Sequence, residues 1–341
     1  MKYYSNILKL IGKTPLVRIG KSNPNPNVLL LAKLEKYNPA GSVKDRIAIS
    51  MIEEAEKEGI LTHDKIVIEP SSGNTGIGLA LICAVRGYLL EIVMPETMSI
   101  ERRKIMTAYG AKITLTPGDA GMNGAEDYVK DLVEKNPDKY YYPNQFANQN
   151  NPLAHYRYTA EEIIDDTDGE IDVFVAGLGT SGTLMGVSKR LKEYNPDIKI
   201  IAVEPEPKQG IQGLKNLATS YVPKILDQSR IDEKVYVKIE DAAHASRMLT
   251  LSEGIFTGIS SGAALHVAIE TARKMDSGTL VVILPDGGEK YISHPIYSPD
   301  KCLECTKICQ IKNLWTDEYI KSISEWWEPN EKNNLSINKL P

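Results

Sequence analysis

Lys44 lies in the run Asn38-Pro39-Ala40-Gly41-Ser42-Val43-Lys44-Asp45-Arg46, where a strand-like stretch, Val28 to Glu35, gives way to the helical pattern of Arg46 to Lys57. An amine at the mouth of such a turn can reach into a cleft, lose its proton through desolvation and form a Schiff base with a carbonyl. Most lysines are solvated surface charges, so the neighbours must carry the case. Glu69-Pro70-Ser71-Ser72-Gly73-Asn74-Thr75-Gly76 forms a second, glycine-rich turn from strand to helix. Ser71, Ser72, Gly73, Asn74 and Thr75 offer hydroxyls and unpaired N–H groups at a helix start, which suits a carboxylate. A plain N-cap accounts for one serine there, but not for the cluster. Asn74 could also reach a phenolic oxygen on a bound ring.

A third turn, Gly177-Leu178-Gly179-Thr180-Ser181-Gly182-Thr183, follows the strand-like Asp172 to Ala176. Glycines let backbone N–H groups approach a phosphate, and the helix dipole favours its negative charge. Thr180 and Thr183 add hydroxyl donors. The same run is a Gly-x-Gly-x-x-Gly, with Glu204 after the next strand, the pattern of a dinucleotide site. Alone it would favour an NAD-dependent dehydrogenase, but that reading leaves Lys44 and the Ser71–Thr75 turn without a task. Together the three turns supply a lysine facing preformed anion cradles, the parts needed to hold pyridoxal 5′-phosphate (PLP) and an amino acid.

The elements that must position these turns alternate along the chain. β-Branched runs recur at Lys65–Glu69, Leu90–Met94, Lys112–Leu115, Asp172–Ala176, Lys199–Val203 and Thr279–Leu284. Helical patterns fall at Asn74–Val85, Ile100–Tyr109, Gly124–Glu134, Ser181–Glu193 and Ser261–Lys274. This alternation predicts βαβ units and an α/β fold with mostly parallel sheet, whose ligands bind beyond the carboxyl ends of strands. With 341 residues, 42% of them hydrophobic, the chain can bury a core large enough for two lobes. The Asn- and Gln-rich Pro143–Pro152 segment is the expected boundary.

A net charge of −5 argues against nucleic acid or an anionic membrane as partner. No leader-like apolar stretch follows Met1, and no run approaches the ~18 apolar residues of a membrane span. Four cysteines in a chain this long imply no disulfide scaffold, so a cytoplasmic location is expected. His63, His155, His244, His266 and His294 show no local metal spacing and read as structural, and Cys83 reads as an inert core thiol. Cys302-x-x-Cys305-x-x-x-Cys309 has the spacing of a soft-metal or iron–sulfur site without a fourth ligand nearby, the alternative being three free thiols. Thr316 to Trp327 could form an amphipathic helix, and the polar Glu328–Pro341 reads as disordered. Ser260, in Gly258-Ile259-Ser260-Ser261-Gly262-Ala263, reads by itself as a helix N-cap.

These motifs jointly resemble the cysteine synthase and cystathionine β-synthase family of fold type II PLP enzymes, the tryptophan synthase β-like fold. The resemblance runs from about residue 5 to 297. It includes Ile11-Gly12-Lys13-Thr14-Pro15-Leu16-Val17, Asn38 to Arg46, Glu69 to Gly76, Met94 to Lys104, Gln145-Phe146, Gly177 to Thr183, Gly258 to Ala263 and Leu284-Pro285-Asp286. It implies two lobes, each a mostly parallel twisted sheet flanked by helices, with the cofactor in the cleft between them. Residues 1–40 and 146–300 would form the larger, phosphate-binding lobe and residues 41–145 a smaller, mobile, substrate-carboxylate lobe, leaving 301–341 as a C-terminal extension.

By the same resemblance, Lys44 is the lysine bonded to PLP and the acid/base for the α-proton. Gly179, Thr180, Ser181, Gly182 and Thr183 hold the phosphate, Asn74 the ring hydroxyl, and Ser260 faces the pyridine nitrogen. Ser71, Ser72, Gly73, Asn74 and Thr75, with Gln145, take the substrate carboxylate. A serine cannot keep the pyridine nitrogen protonated as an aspartate would, which favours losing a β-leaving group to give an aminoacrylate. The implied reaction is β-substitution on an L-serine or L-cysteine derivative, with O-acetylserine or O-phosphoserine plus sulfide giving cysteine. Its rival is a lyase that releases sulfide from cysteine and forms serine, lanthionine or a thioether. Water addition would need a base near Cβ, for which Asp232 and Glu240 are candidates that otherwise read as surface carboxylates. A homodimer is expected.

Three departures stand out. Ser71 replaces the usual threonine, and Ser181 stands where glycine is common. Gln212-Gly213-Leu214-Lys215-Asn216-Leu217-Ala218-Thr219-Ser220-Tyr221-Val222-Pro223 is longer than the glycine-rich stretch of many cysteine synthases at the cleft mouth, where the leaving group is chosen.

Overall fold

A computed structural model describes residues 1 and 3–294. Among these described residues ten strands carry the fold: β1 (Leu16–Arg18), β2 (Val28–Leu34), β3 (Ile66–Pro70), β4 (Leu89–Pro95), β5 (Lys112–Thr116), β6 (Tyr140–Tyr141), β7 (Val173–Gly177), β8 (Lys199–Pro205), β9 (Glu233–Val237) and β10 (Gly278–Leu284). The helices are α1 (Lys44–Lys57), α2 (Asn74–Arg86), α3 (Ile100–Ala108), α4 (Gly121–Lys135), α5 (Asn150–Ala154), α6 (Ala160–Asp166), α7 (Gly182–Tyr194), α8 (Ile239–Glu253) and α9 (Ile259–Lys274), with a π-helical turn at His155–Thr159 joining α5 to α6.

The strands form two sheets. One has the order β1-β2-β10-β7-β8-β9, and the other β5-β4-β3-β6. Every pairing is parallel except β1 with β2. Parallel strands covered on both faces need continuous apolar sequence. β10, Gly-Thr-Leu-Val-Val-Ile-Leu, meets that demand: from Thr279 to Leu284 every residue is buried. Its register sets Leu280 against Leu30 and Val173, and Leu284 against Leu34. On the first sheet, Phe174, Leu184, Val187, Leu191 and Ile200 pack α7 against β7 and β8. On the second, Ile68, Val93, Ala125 and Val129 seat α4, while Ile52, Ile77, Leu79 and Ile92 pack α1 and α2 together.

Residues 1–290 form one compact unit, to which both sheets belong, and a second begins at Tyr291. Among the described residues no helix is long and apolar enough to cross a membrane. The Cys302, Cys305 and Cys309 site and the Thr316–Trp327 helix expected from sequence lie outside the described residues.

This topology brings the functional turns together. β2, β10 and β7 are neighbours and parallel, so their carboxyl ends share one edge. From those ends leave the segment leading to Lys44, the Pro285-Asp286 turn and the Gly177–Thr183 turn.

Candidate active site

Lys44 is the first residue of α1. The Val43 N–H donates to the Pro285 carbonyl at 2.9 Å, Ser42 bridges to Asp286, and the Lys44 N–H donates to Ser42 Oγ at 3.2 Å. The helix therefore starts from the end of β10. Lys44 keeps partial exposure, yet burial of its amine lowers its pKa to about 8, against the charges of Asp286 and Glu35, which raise it.

A buried ionic network holds α1 from behind. Arg46 donates to Glu35 through Nε and Nη2 (2.7 and 2.8 Å) and to Glu162 through Nη1 and Nη2 (both 2.7 Å). Thr14 Oγ1 donates to Glu35 at 2.7 Å, and Lys33 Nζ reaches the Thr14 carbonyl at 2.6 Å and Glu162 at 3.0 Å. Through Thr14 the Ile11–Val17 motif thus helps to hold α1.

The second turn begins where β3 ends. Ser71 Oγ accepts from the N–H groups of Gly76 (3.0 Å) and Gly73 (3.4 Å), so Ser71 does the capping work at the start of α2. Thr75 Oγ1 donates to Gln145 Oε1 at 2.6 Å, which joins the two residues expected to share a carboxylate. Gln145 is pinned in turn by Glu69, whose fully buried carboxylate accepts the N–H groups of Asn144 (2.9 Å) and Gln145 (3.3 Å). Burial pushes the Glu69 pKa up to about 8 despite those donors. Asn74 is engaged at both ends of its amide: Nδ2 donates to Asp286 Oδ2 at 2.7 Å, and Oδ1 accepts from the buried Lys290 at 2.9 Å.

In the third turn the left-handed conformation falls on Ser181, at φ 75°, and not on a glycine. The glycines make room instead. A Cβ on Gly182 would run into the side-chain oxygen of Asn151, and one on Gly179 would strike the carbonyl of Gly213. Thr183 Oγ1 lies 3.3 Å from His155 Nε2. His155 is fully buried, and desolvation, with the charges of Lys44 and Arg46, holds its pKa well below the usual imidazole value. Its ring is therefore a neutral partner beneath this turn, a structural role, as expected.

Ser260 is the second residue of α9, and Gly258 holds the N-cap position, so the N-cap reading of Ser260 is replaced. Its Oγ lies 3.3 Å from where a Cβ on Gly213 would stand. The 212–223 segment therefore runs past both Ser260 and Gly179. Lys215 sets its ammonium 4.0 Å from the centre of the Phe146 ring, and Tyr221 faces Lys130 of α4 at 5.7 Å.

Two readings of other acids are resolved. Glu204 gives Oε2 to the Leu217 N–H (3.0 Å) and lies 3.3 Å from Lys234, so it anchors the 212–223 segment and is not set out for a ribose. Asp232 accepts from the Ile200 N–H (2.7 Å) and pairs with Lys192 (2.8 Å), while Glu240 is exposed in the first turn of α8; both are surface carboxylates. Cys83 is buried with its thiol pushed up to about 12, as an inert core residue should be. Among the described residues no cluster of three His, Cys, Asp or Glu side chains could hold a metal ion.

Residues 7–286 match the family described as pyridoxal-phosphate dependent enzyme. A cysteine synthase of Aquifex aeolicus (strain VF5) is 46% identical over 305 residues, covering 87% of this chain and 93% of its own. The chain belongs to the cysteine synthase family of PLP enzymes. Among solved structures, O-acetyl serine sulfhydrylase isoform 3 from Entamoeba histolytica superposes with a TM-score of 0.82 at 42% identity, over 87% of this chain and 92% of that one. A hydrogen sulfide-producing enzyme from Fusobacterium nucleatum superposes with a TM-score of 0.80 at 44% identity, over 85% and 100%.

The cofactor of this family fits the residues present. Ser181 Oγ is buried and without a hydrogen-bond partner among the described residues, at the positive end of the thirteen-residue α7. A phosphate would take that hydroxyl and the free N–H groups of the first turn. Sequence reasoning missed Glu69, Asn151 and Lys290 as members of the site. Glu69 stood inside a quoted motif, but nothing local in the sequence marks Asn151 or Lys290.

Proposed function

We propose that the protein catalyses a PLP-dependent β-substitution on an L-serine or L-cysteine derivative, with O-acetylserine or O-phosphoserine and sulfide giving L-cysteine. The observation that carries this reading is Lys44, an amine with a pKa near 8 fixed at the carboxyl edge shared by β2, β10 and β7. Such an amine holds a far larger neutral fraction near physiological pH than an ordinary lysine, and the neutral form is the nucleophile toward an aldehyde. Once released by the incoming amino acid, its Nζ accepts the α-proton and can later return it.

The other roles are those implied by the resemblance to the family, and each side chain has the chemistry its role needs. Thr180, Ser181 and Thr183 hydroxyls and the N–H groups of Gly179 and Gly182 hold the phosphate. Ser71 to Thr75, at the start of α2, and the Gln145 amide hold the substrate carboxylate, where the helix dipole favours the anion. Asn74 takes the ring hydroxyl by exchanging its Asp286 contact. Ser260 offers a hydroxyl to the pyridine nitrogen and leaves it unprotonated. PLP, when bound, supplies a sink for the electron pair left at Cα, and a weak sink favours prompt loss of a β-substituent.

The sheet of β3 to β6 lies within residues 41–145, and that of β1, β2 and β7 to β10 within 1–40 and 146–300, which supports a smaller carboxylate-binding lobe moving against a larger phosphate-binding one. A cytoplasmic homodimer is the form we assign. A second reading, release of sulfide from cysteine, is favoured by the likeness to the Fusobacterium nucleatum enzyme and by the long 212–223 segment beside Ser260. Incubating the PLP-loaded protein separately with O-acetylserine, O-phosphoserine, serine and cysteine, each with and without added sulfide, and measuring sulfide and cysteine throughout, tests both. Sulfide consumed with an O-substituted serine supports the first reading; sulfide released from cysteine alone supports the second.

A further inference from the structure

Asn151, the second residue of α5, is fully buried and lies between the two binding turns. Its Nδ2 donates to the Gln145 carbonyl at 2.7 Å and to Thr180 Oγ1 at 3.1 Å. A carbonyl oxygen can only accept, so the amide is fixed with its donor end toward Gln145. Thr180 Oγ1 therefore accepts from Asn151. It also accepts from the Gly182 N–H at 3.4 Å. With a lone pair taken by Asn151, the Thr180 hydroxyl hydrogen points elsewhere, and it serves as a donor to whatever anion the turn holds. Gln145 meanwhile is gripped at its carbonyl by Asn151, at its N–H by Glu69 and at its Oε1 by Thr75. The lack of a side chain at Gly182, which looks in sequence like a phosphate-loop feature, is also what lets Asn151 reach this position.

We propose that Asn151 is a positioning residue that aims the Thr180 hydroxyl at the cofactor phosphate and holds Gln145 for the substrate carboxylate, so that one amide ties the two binding turns together. The inference rests on the functional reading above and deepens it. The carboxylate-binding residues come from the 66–145 part of the chain and the phosphate-binding residues from the α7 turn, and Asn151 is a side chain that bonds to both.

The test uses Asn151→Ala, Thr180→Val and the double variant, with two readouts on each. The first is the dissociation constant for PLP, from equilibrium dialysis of cofactor-free protein. The second is kcat and KM for the best amino-acid substrate. We expect Asn151→Ala to weaken PLP binding about tenfold and to raise KM about tenfold, with a smaller change in kcat. In the Thr180→Val background the same change should alter PLP affinity by less than about twofold while still raising KM, because the hydroxyl it aims is gone. If Asn151→Ala does not fold, Asn151→Leu carries the test, since it keeps the branched shape and removes the donor without adding charge. Folded variants with wild-type PLP affinity and KM would overturn the proposal, as would equal losses of PLP affinity in both backgrounds. Failure of the functional reading looks different: the wild-type protein would take up no PLP or turn over none of the amino acids.

Discussion

Arg46 grips Glu35 through two parallel hydrogen bonds of 2.7 and 2.8 Å, two residues along α1 from Lys44. Both side chains are almost wholly buried, and Glu162 completes the clamp from α6. Breaking such a network by removing one partner leaves an uncompensated buried charge. We expect Arg46→Ala to lower unfolding stability by about 3–5 kcal/mol, read from urea denaturation of the cofactor-free protein. A loss under 1 kcal/mol would mean that α1 is held by apolar packing alone.

Acid should act through the same clamp. Burial opposes ionisation of Glu162, but the Arg46 hydrogen bonds outweigh it and bring the pKa down to about 2 from an ordinary 4.5. A carboxyl depressed in the folded state contributes stability that is fully present above the unfolded value and is lost as pH falls through the folded one. The melting temperature should therefore decline between about pH 4.5 and pH 2. Glu162→Gln should be less stable than the wild type at pH 7, and the gap should close across that window. A gap that stays constant to pH 2 would remove Glu162 from the account.

Lys44 sets a second pH dependence, of opposite kind. Its pKa of about 8 in the cofactor-free protein means that the neutral amine appears well below the usual lysine range. The rate at which cofactor-free protein captures PLP should rise through about pH 8 and then level off, as followed by visible absorbance in a stopped-flow instrument. A rate still climbing above pH 10 would place the amine in water.

Ser181 should answer in two directions at once. Its φ of 75° is a conformation that costs an L-residue about 1–2 kcal/mol and glycine almost nothing. Ser181→Gly is expected to stabilise the cofactor-free protein by about 0.5–1 kcal/mol after the extra backbone entropy of glycine, while weakening PLP affinity because the unpaired hydroxyl is lost. Thermal melts and PLP titrations check the pair. Tighter PLP binding in Ser181→Gly would contradict the role given to that hydroxyl.

The fold was legible wherever burial on both faces left an uninterrupted apolar run. Lys199–Val203 and Thr279–Leu284 read from sequence became β8 and β10 with small changes at the ends. Elements whose pattern is weak did not read. α8 buries Ala242, Ala243, Ala245, Ser246 and Leu249, mostly small side chains with little hydrophobic contrast. The α5–α6 stretch is interrupted by a π turn at His155–Thr159, which breaks the 3.6-residue period on which helix reading depends. β1 and β6, at three and two residues, are too short to carry a signal.

The site divides in the same way. Lys44, the Ser71–Thr75 turn and the Gly177–Thr183 turn are local strand-to-helix junctions, and local composition marks them. What holds them is long-range. Glu69 meets Gln145 across 76 positions, Asn74 meets Lys290 across 216, and Arg46 meets Glu162 across 116. No periodicity or spacing rule links residues so far apart; only the packing of the two sheets and their helices does.

The most direct measurement is to load the protein with PLP, reduce it with borohydride, digest it and locate the pyridoxyl group by mass spectrometry. We expect the label on the peptide containing Lys44 and nowhere else, with Lys44→Ala unlabelled and inactive. A label on Lys215 or Lys290, or a fully active Lys44→Ala variant, would contradict the assignment of this lysine as the one that holds the cofactor.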